Sequence, residues 1–318
     1  MFMLILGQEP IEIEVDDWLY ALTFSANGEY LLSGGRGGVQ VWRVEDGQRT
    51  ATMNTKNIVF CLAVSMDGGY IAAGTDTGEL FVWDGETHEP VLEHKKDGFE
   101  VTTVDFSPAS SRQFVSASRN SIGTSDSSSA AVWDLGTRKQ VQILRHDDSN
   151  HSIMIQGAKY SPRGDRIATA TDDSVRVWDC HDGRLLMDIK VTVDQWSNRG
   201  LLWFSSLQLL VLSNRKIIQI DASTGTPISE WPILDTSGSS CIAQPMHKEF
   251  IAYSTRRTVS FLDAVTRTEL GLVEHTENIY SIAFSADDRF IAIGGEYGTI
   301  NVENISHITV SNTPTRII

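Results

Sequence analysis

The sequence predicts an all-β fold built from seven copies of one short unit, and three residue columns carry that reading. An anchor recurs at Phe24, Val64, Phe106, Tyr160, Phe204, Gln244 and Phe284, in steps of 40, 42, 54, 44, 40 and 40 residues. Turn-forming residues follow the anchor in most copies, and a tryptophan or an aliphatic residue closes a third strand further on. A period of this size marks a repeat architecture, in which each unit buries its apolar faces against its neighbours.

The turn column reads Ser25-Ala26-Asn27-Gly28, Ser65-Met66-Asp67-Gly68, Ser107-Pro108, Ser161-Pro162-Arg163-Gly164 and Ser285-Ala286-Asp287-Asp288. Glycine and asparagine tolerate positive φ, and Ser and Asp side chains bond the turn backbone, so each marks a hairpin. A second strand begins near Tyr30, Tyr70, Phe114, Arg166, Leu210, Phe250 and Phe290. The third ends at Trp42, Trp83, Trp133, Trp178, Ile220, Leu262 and Val302. These runs are short, β-branched and aromatic, and they show little helical periodicity.

Val82-Trp83-Asp84, Val132-Trp133-Asp134 and Val177-Trp178-Asp179 resemble the signature of the WD40-repeat family, and the resemblance covers nearly the whole chain. It implies a seven-bladed β-propeller with one four-stranded blade per repeat. The blades fall at about 18–53, 57–94, 100–144, 152–190, 198–231, 238–273 and 278–303, within a single domain over 1–305, and 306–318 is a tail. The last copy stops after its third strand, whereas a strand-like run at 11–15 precedes the first copy. Together they make one blade, and in the resembling family such a shared blade closes the ring and protects sheet edges. The family's buried His–Ser/Thr–Asp–Trp network is matched in full only by His151, Thr169, Asp172 and Trp178. The last copy keeps His275 but has Ile293 at the hydroxyl position, and copies five and six carry Ile220-Asp221 and Leu262-Asp263 in place of Trp-Asp.

Composition narrows the function. Apolar residues make up 41% and charged residues 21%, enough for a real core. Forty-one Asp and Glu against 26 Lys and Arg give a net charge of −15, which repels phosphate backbones and anionic lipid, so neither nucleic acid nor membrane is the expected partner. The N-terminal apolar run lacks the basic region of a signal peptide, no later run is long enough to span a bilayer, and a cytoplasmic or nuclear monomer is expected.

No catalytic residue is indicated: GxSxG, HExxH, phosphate-loop and EF-hand patterns are all absent. No metal and no cofactor are expected. Cys61, Cys180 and Cys241 show no CxxC spacing, and Cys61 and Cys241 share a column with Ala21, Thr103, Gly157 and Ser281 that suits tight packing. The glycines at 34, 35, 37 and 38 join two strands instead of opening a helix, and Arg163-Gly164-Asp165 falls in the turn column.

In the resembling family, partners often use the channel rim on the face that carries the loops before the first strand. Six positions before each anchor stand Trp18, Ile58, Glu100, Met154, Asn198, Gly238 and Asn278. Trp18, Ile58 and Met154 supply an expected apolar centre, Glu100, Asn198 and Asn278 its polar neighbours, and Asp76, Asp126 and Glu296 an acidic surround. Longer segments at 119–129, 145–152 and 194–200 are expected on the same face, where recognition tends to reside. The function expected is a non-catalytic scaffold or adaptor that binds a protein or peptide. The alternatives are a small-ligand or glycan sensor and a propeller hydrolase.

Overall fold

A computed structural model of the chain describes residues 10–308 except 16, 97, 121–128, 147–153, 194–199, 214, 234–240 and 248. Short runs of β-branched and aromatic residues punctuated by turns form seven four-stranded antiparallel sheets, numbered here as blades 1 to 7 with strands a to d running outward. Blades 1 to 6 span 19–53, 59–95, 99–145, 157–190, 201–232 and 242–274. Blade 7 takes strands a to c from Ile279–Phe284, Phe290–Gly295 and Thr299–Asn304, and its strand d is Ile11–Glu14. Neighbouring a strands touch all the way round, blade 7 to blade 1 included, so the sheets close into a seven-bladed β-propeller.

Closure follows the expected route. Ile11 pairs with Val302 and Ile13 with Ile300. Ile13 is buried among Leu19, Leu22, Trp42, Val44 and Ile300, whereas Glu12 and Glu14 alternate outward. One column needs correcting. The residue that pairs with Leu31, Ile71, Phe114, Ile167, Leu209 and Ile251 of strand b is Trp42, Trp83, Trp133, Trp178, Ile220 and Leu262 in blades 1 to 6, but in blade 7 it is Glu303, which pairs with Ile291. Val302, the apolar residue assigned there from sequence, lies one position earlier and pairs with Ala292. Hydrophobicity was the wrong guide, because the column's occupant in blade 7 is a buried glutamate, only 4% exposed.

Small residues let the blades approach. A Cβ on Gly34 would lie 2.7 Å from Val59 of the next blade, one on Gly74 2.5 Å from Val101 Cβ, and one on Gly294 2.4 Å from Leu19. Opposite them, the Cys61 and Cys241 column is buried and stitches blade to blade. Cys61 Sγ–H points to Val101 O, Thr103 Oγ1 to Ala158 O and Cys241 Sγ to Tyr280 O, and Leu22 N–H donates to Ser281 Oγ.

The turns explain why Asp outlasts Trp. Asp84, Asp134, Asp179, Asp221 and Asp263 each accept backbone N–H groups two or three residues on, so the c–d turn of blades 5 and 6 keeps its carboxylate after the tryptophan is lost. Gly164 of the Arg-Gly-Asp tripeptide has φ +73°, matching Gly28 and Gly68 in the a–b turn. No helix among the described residues is long and apolar enough to cross a membrane.

Candidate functional site at the channel mouth

Strand a carries a recurring irregularity at its start. Leu19 pairs with Gly35 and Ala21 with Gly34, so Tyr20 is skipped, and the same step skips Phe60, Thr102 and Tyr280 in blades 2, 3 and 7. Each is a β-bulge, which re-aims one side chain out of the alternating pattern. In blade 1 the neighbours Leu19 and Ala21 are buried, whereas the bulged Tyr20 is partly exposed. Tyr20 meets Phe60 at 4.9 Å and Tyr280 at 5.7 Å between ring centroids, joining three consecutive blades. The chain can pass this closely only because position 35 is glycine: a Cβ there would lie 2.1 Å from Trp18 O.

Trp18, just before the bulge, extends the cluster outward. Its ring lies 6.3 Å from Tyr20 and 5.8 Å edge-on from Tyr297 in the b–c turn of blade 7. Trp18 is 41% exposed and Tyr297 61%. Carboxylates hold the surrounding turns. Asp76 Oδ1 accepts Ile58 N–H at 3.0 Å, and Glu296 Oε2 accepts from Asn278 Nδ2 at 2.9 Å. Glu277 accepts Tyr297 N–H and the Thr299 hydroxyl, and Asp17 accepts Trp18 N–H and faces Arg36 at 3.8 Å. Burial pushes the Tyr20 hydroxyl up, Tyr280 adds to this, Arg36 opposes it, and Asp76 and Glu296 raise it further.

Trp18, Ile58, Glu100, Met154 and Asn278 share one register position, each on a different one of the consecutive blades 7, 1, 2, 3 and 4. Ile58 is in the blade next to Trp18, and Met154 precedes blade 4. Ile58 and Met154 are half-buried, Asn278 is exposed, and Glu100 is tied to Arg119. Asn198 and Gly238 lie outside the described residues. The apolar surface beside Trp18 comes instead from Tyr20, Phe60, Tyr280 and Tyr297. A column four places before the anchor, reading Tyr20, Phe60, Thr102, Gln156 and Tyr280, held the signal for three of them. Tyr297 sits in a turn without such a column. Of the long segments, Arg119 and Ser129 are themselves strand residues and 121–128 lie outside the described residues, as do Asp126 and most of 145–152 and 194–200.

The buried network beneath blade 4 joins Trp178, Thr169 and a histidine other than the one expected. Trp178 Nε1–H donates to Thr169 Oγ1 at 2.8 Å, and the imidazole meeting Thr169 is that of His146, at 2.8 Å from Nε2. His151 lies outside the described residues. His146 and His275 are each the first residue after a d strand, so counting forward from the strand finds both, whereas counting back from the anchor is thrown off by the longer loop before blade 4. Asp172 is half-buried, and its carbonyl accepts Val193 N–H. The Trp-to-hydroxyl half of the network recurs as Trp42 to Ser33 and Trp133 to Ser116, each at 2.8 Å. Among the described residues no group of three or more His, Cys, Asp or Glu is arranged to hold a metal ion.

Comparison with known proteins agrees with this architecture. The sequence profile described as "WD domain, G-beta repeat" matches residues 13–43, 47–84, 138–179 and 267–302. The chain is 28% identical over 174 residues to WD repeat-containing protein 18 of Danio rerio, covering 51% of this chain and 38% of that protein. It is 23% identical over 256 residues to apoptotic protease-activating factor 1 of Homo sapiens, covering 78% and 19%, and 28% identical over 176 residues to the protein groucho of Drosophila melanogaster, covering 52% and 22%. The chain thus spans well under half the length of these relatives. A chain in the crystal structure of a mitotic checkpoint complex superposes with a TM-score of 0.73 at 17% identity, covering 94% of this chain and 93% of that one.

Proposed function

We propose that this chain, a seven-bladed propeller of the WD40-repeat family, is a non-catalytic scaffold or adaptor that holds a protein or peptide segment at its channel mouth. The observation that carries this reading is the five-ring cluster of Trp18, Tyr20, Phe60, Tyr280 and Tyr297, whose outer members are left open to water. Exposed aromatic surface costs free energy until something covers it, and Trp and Tyr are the residues that most often dominate binding at protein interfaces. The similarity to a chain found within a multiprotein complex is in keeping with such a role.

The test is a paired affinity purification with the wild type and a Trp18→Ala/Tyr297→Ala variant. Both side chains are partly exposed, so the fold should survive their truncation. Partner binding should fall at least about tenfold, since loss of an interface Trp commonly costs about 2 kcal/mol. Partners retained in full by the double variant would move the site to another face.

A further inference from the structure

We infer that the segment held at the channel mouth presents a basic side chain to the aromatic cluster, with arginine preferred over lysine; the inference rests on the mouth being the partner site. The rings touch one another, with centroids 4.9 to 6.3 Å apart, so the cluster is a platform met from outside and offers no slot for a side chain to enter. The turns and loops that frame it carry Asp17, Asp76, Glu277 and Glu296 against two cations, Arg36 and the exposed Lys56. Arg36 is itself loosely held, 67% exposed at 3.8 Å from Asp17, so a partner's cation can displace it. Among the described residues, Asp76 and Glu296 each accept a hydrogen bond on one carboxylate oxygen, from Ile58 N–H and from Asn278 Nδ2. An apolar segment covering the rings would strip water from these carboxylates without replacing it, whereas a cation keeps them paired.

The protein's own cations show the same preference elsewhere. Arg49 lies over Trp42, Lys96 over Phe99, Arg267 over Trp231 and Arg289 over Phe290. Among the described residues no such contact covers Trp18, Tyr20, Phe60 or Tyr297. A cation over an aromatic face is attracted by the ring quadrupole, and a planar guanidinium can stack on a ring while its N–H fork reaches a carboxylate, which a lysine ammonium cannot do at once. The acidic sector has limits: Arg256 and Arg257 occupy the corresponding turn of blade 6, and Arg119 with its partner Glu100 belongs to blade 3. The sector is therefore confined to blades 7, 1 and 2.

The experiment measures fluorescence polarisation of labelled hexa-arginine, hexa-lysine and hexa-glutamine with the full chain, at low and at physiological salt. Four proteins are compared: wild type, Trp18→Ala/Tyr297→Ala, Asp76→Asn/Glu296→Gln, and a charge-matched control, Glu45→Gln/Glu93→Gln, whose residues are exposed and remote from the mouth. Hexa-arginine should bind at least about tenfold tighter than hexa-glutamine, with hexa-lysine between, and both mouth variants should lose about fivefold or more while the control does not. Equal losses in the control, or hexa-arginine binding unchanged in the ring variant, would show attraction by net charge alone and overturn the inference. With a purified partner in place of the probe, loss in the ring variant but full retention in the carboxylate variant would leave the mouth as the site and refute the cation. Retention in both would refute the site itself.

Discussion

Substituting Ile13→Ala tests whether strand d of blade 7 holds the ring shut. Ile13 is 2% exposed and packs between Leu19 of blade 1 and Ile300 and Val302 of blade 7. Truncating a buried Ile to Ala costs roughly 2 to 5 kcal/mol, the sum of lost transfer free energy and the cavity left behind. Ile11 and Val15 beside it are only partly buried, so the site can relax, and the lower end, about 2 to 3 kcal/mol, is expected. With a urea m-value near 3 kcal/mol/M this lowers the midpoint by roughly 0.7 to 1 M, read by tryptophan fluorescence. Glu14→Ala is the control: Glu14 faces solvent, and its pairing with Thr299 is unaffected by its side chain, so its effect should stay within about 0.5 kcal/mol. Deleting 1–15 should cost more than Ile13→Ala, since it leaves strand c of blade 7 as an open edge. Equal midpoints for Ile13→Ala and the wild type would mean that the ring does not depend on this strand.

Three further outcomes are expected. Thr169→Val should cost about 1 to 3 kcal/mol by leaving Trp178 N–H and the His146 imidazole without their shared partner, and His146→Phe should destabilise more than His151→Phe when the two are melted side by side. Burial holds the His275 imidazole below its ordinary value of 6.5, with the Glu277 backbone and carboxylate opposing and Arg257 reinforcing. The unfolded chain then binds the extra proton first, so this contribution is complete above about pH 6.5 and is lost as pH falls from there through the lowered folded value; His275→Gln should flatten that part of a stability–pH curve, and an unchanged slope would contradict it. Ser281→Ala should cost about 1 to 2 kcal/mol by removing the acceptor of the buried Leu22 N–H, and hexa-arginine binding should weaken more than in a blade 4 variant of equal destabilisation.

The number of blades and the closing strand were legible in the sequence because both rest on patterns with a fixed physical period, the hairpin turn and the two-residue alternation of strands. Blades 5 and 6 could be placed without their tryptophans because Asp221 and Asp263 still cap the c–d turn. Reading failed where position is set by something other than polarity. Glu303 takes the tryptophan column against its hydrophobicity, because strand pairing fixes register, and a loop of unusual length separated His146 from the anchor used to count it. The bulge was the larger omission. Alternation would send Tyr20 to one face of a regular strand, and only the extra unpaired residue turns it to meet Phe60 and Tyr280.

The position of the aromatic sector relative to the closure follows from these same elements. Blade 7 is the one blade whose strands come from distant parts of the chain, and the rings of Tyr280 and Tyr297 stand on it while Trp18 and Tyr20 stand on blade 1. The seam between them is narrow: Gly294 admits Leu19 at a distance that no larger residue would allow, and Ser281 receives Leu22 N–H across it at 3.0 Å. Immediately after Ile11–Glu14 the chain turns inward, and Val15 N–H donates to Gly298 O beside Tyr297 before Trp18 and the first a strand begin. The segment that latches the ring therefore also delivers Trp18 to the mouth and fixes the turn that carries Tyr297. Closure and assembly of the aromatic cluster are one structural event here, because a ring opened at this seam would part Tyr20 from Tyr280 and Trp18 from Tyr297 before any other pair in the cluster.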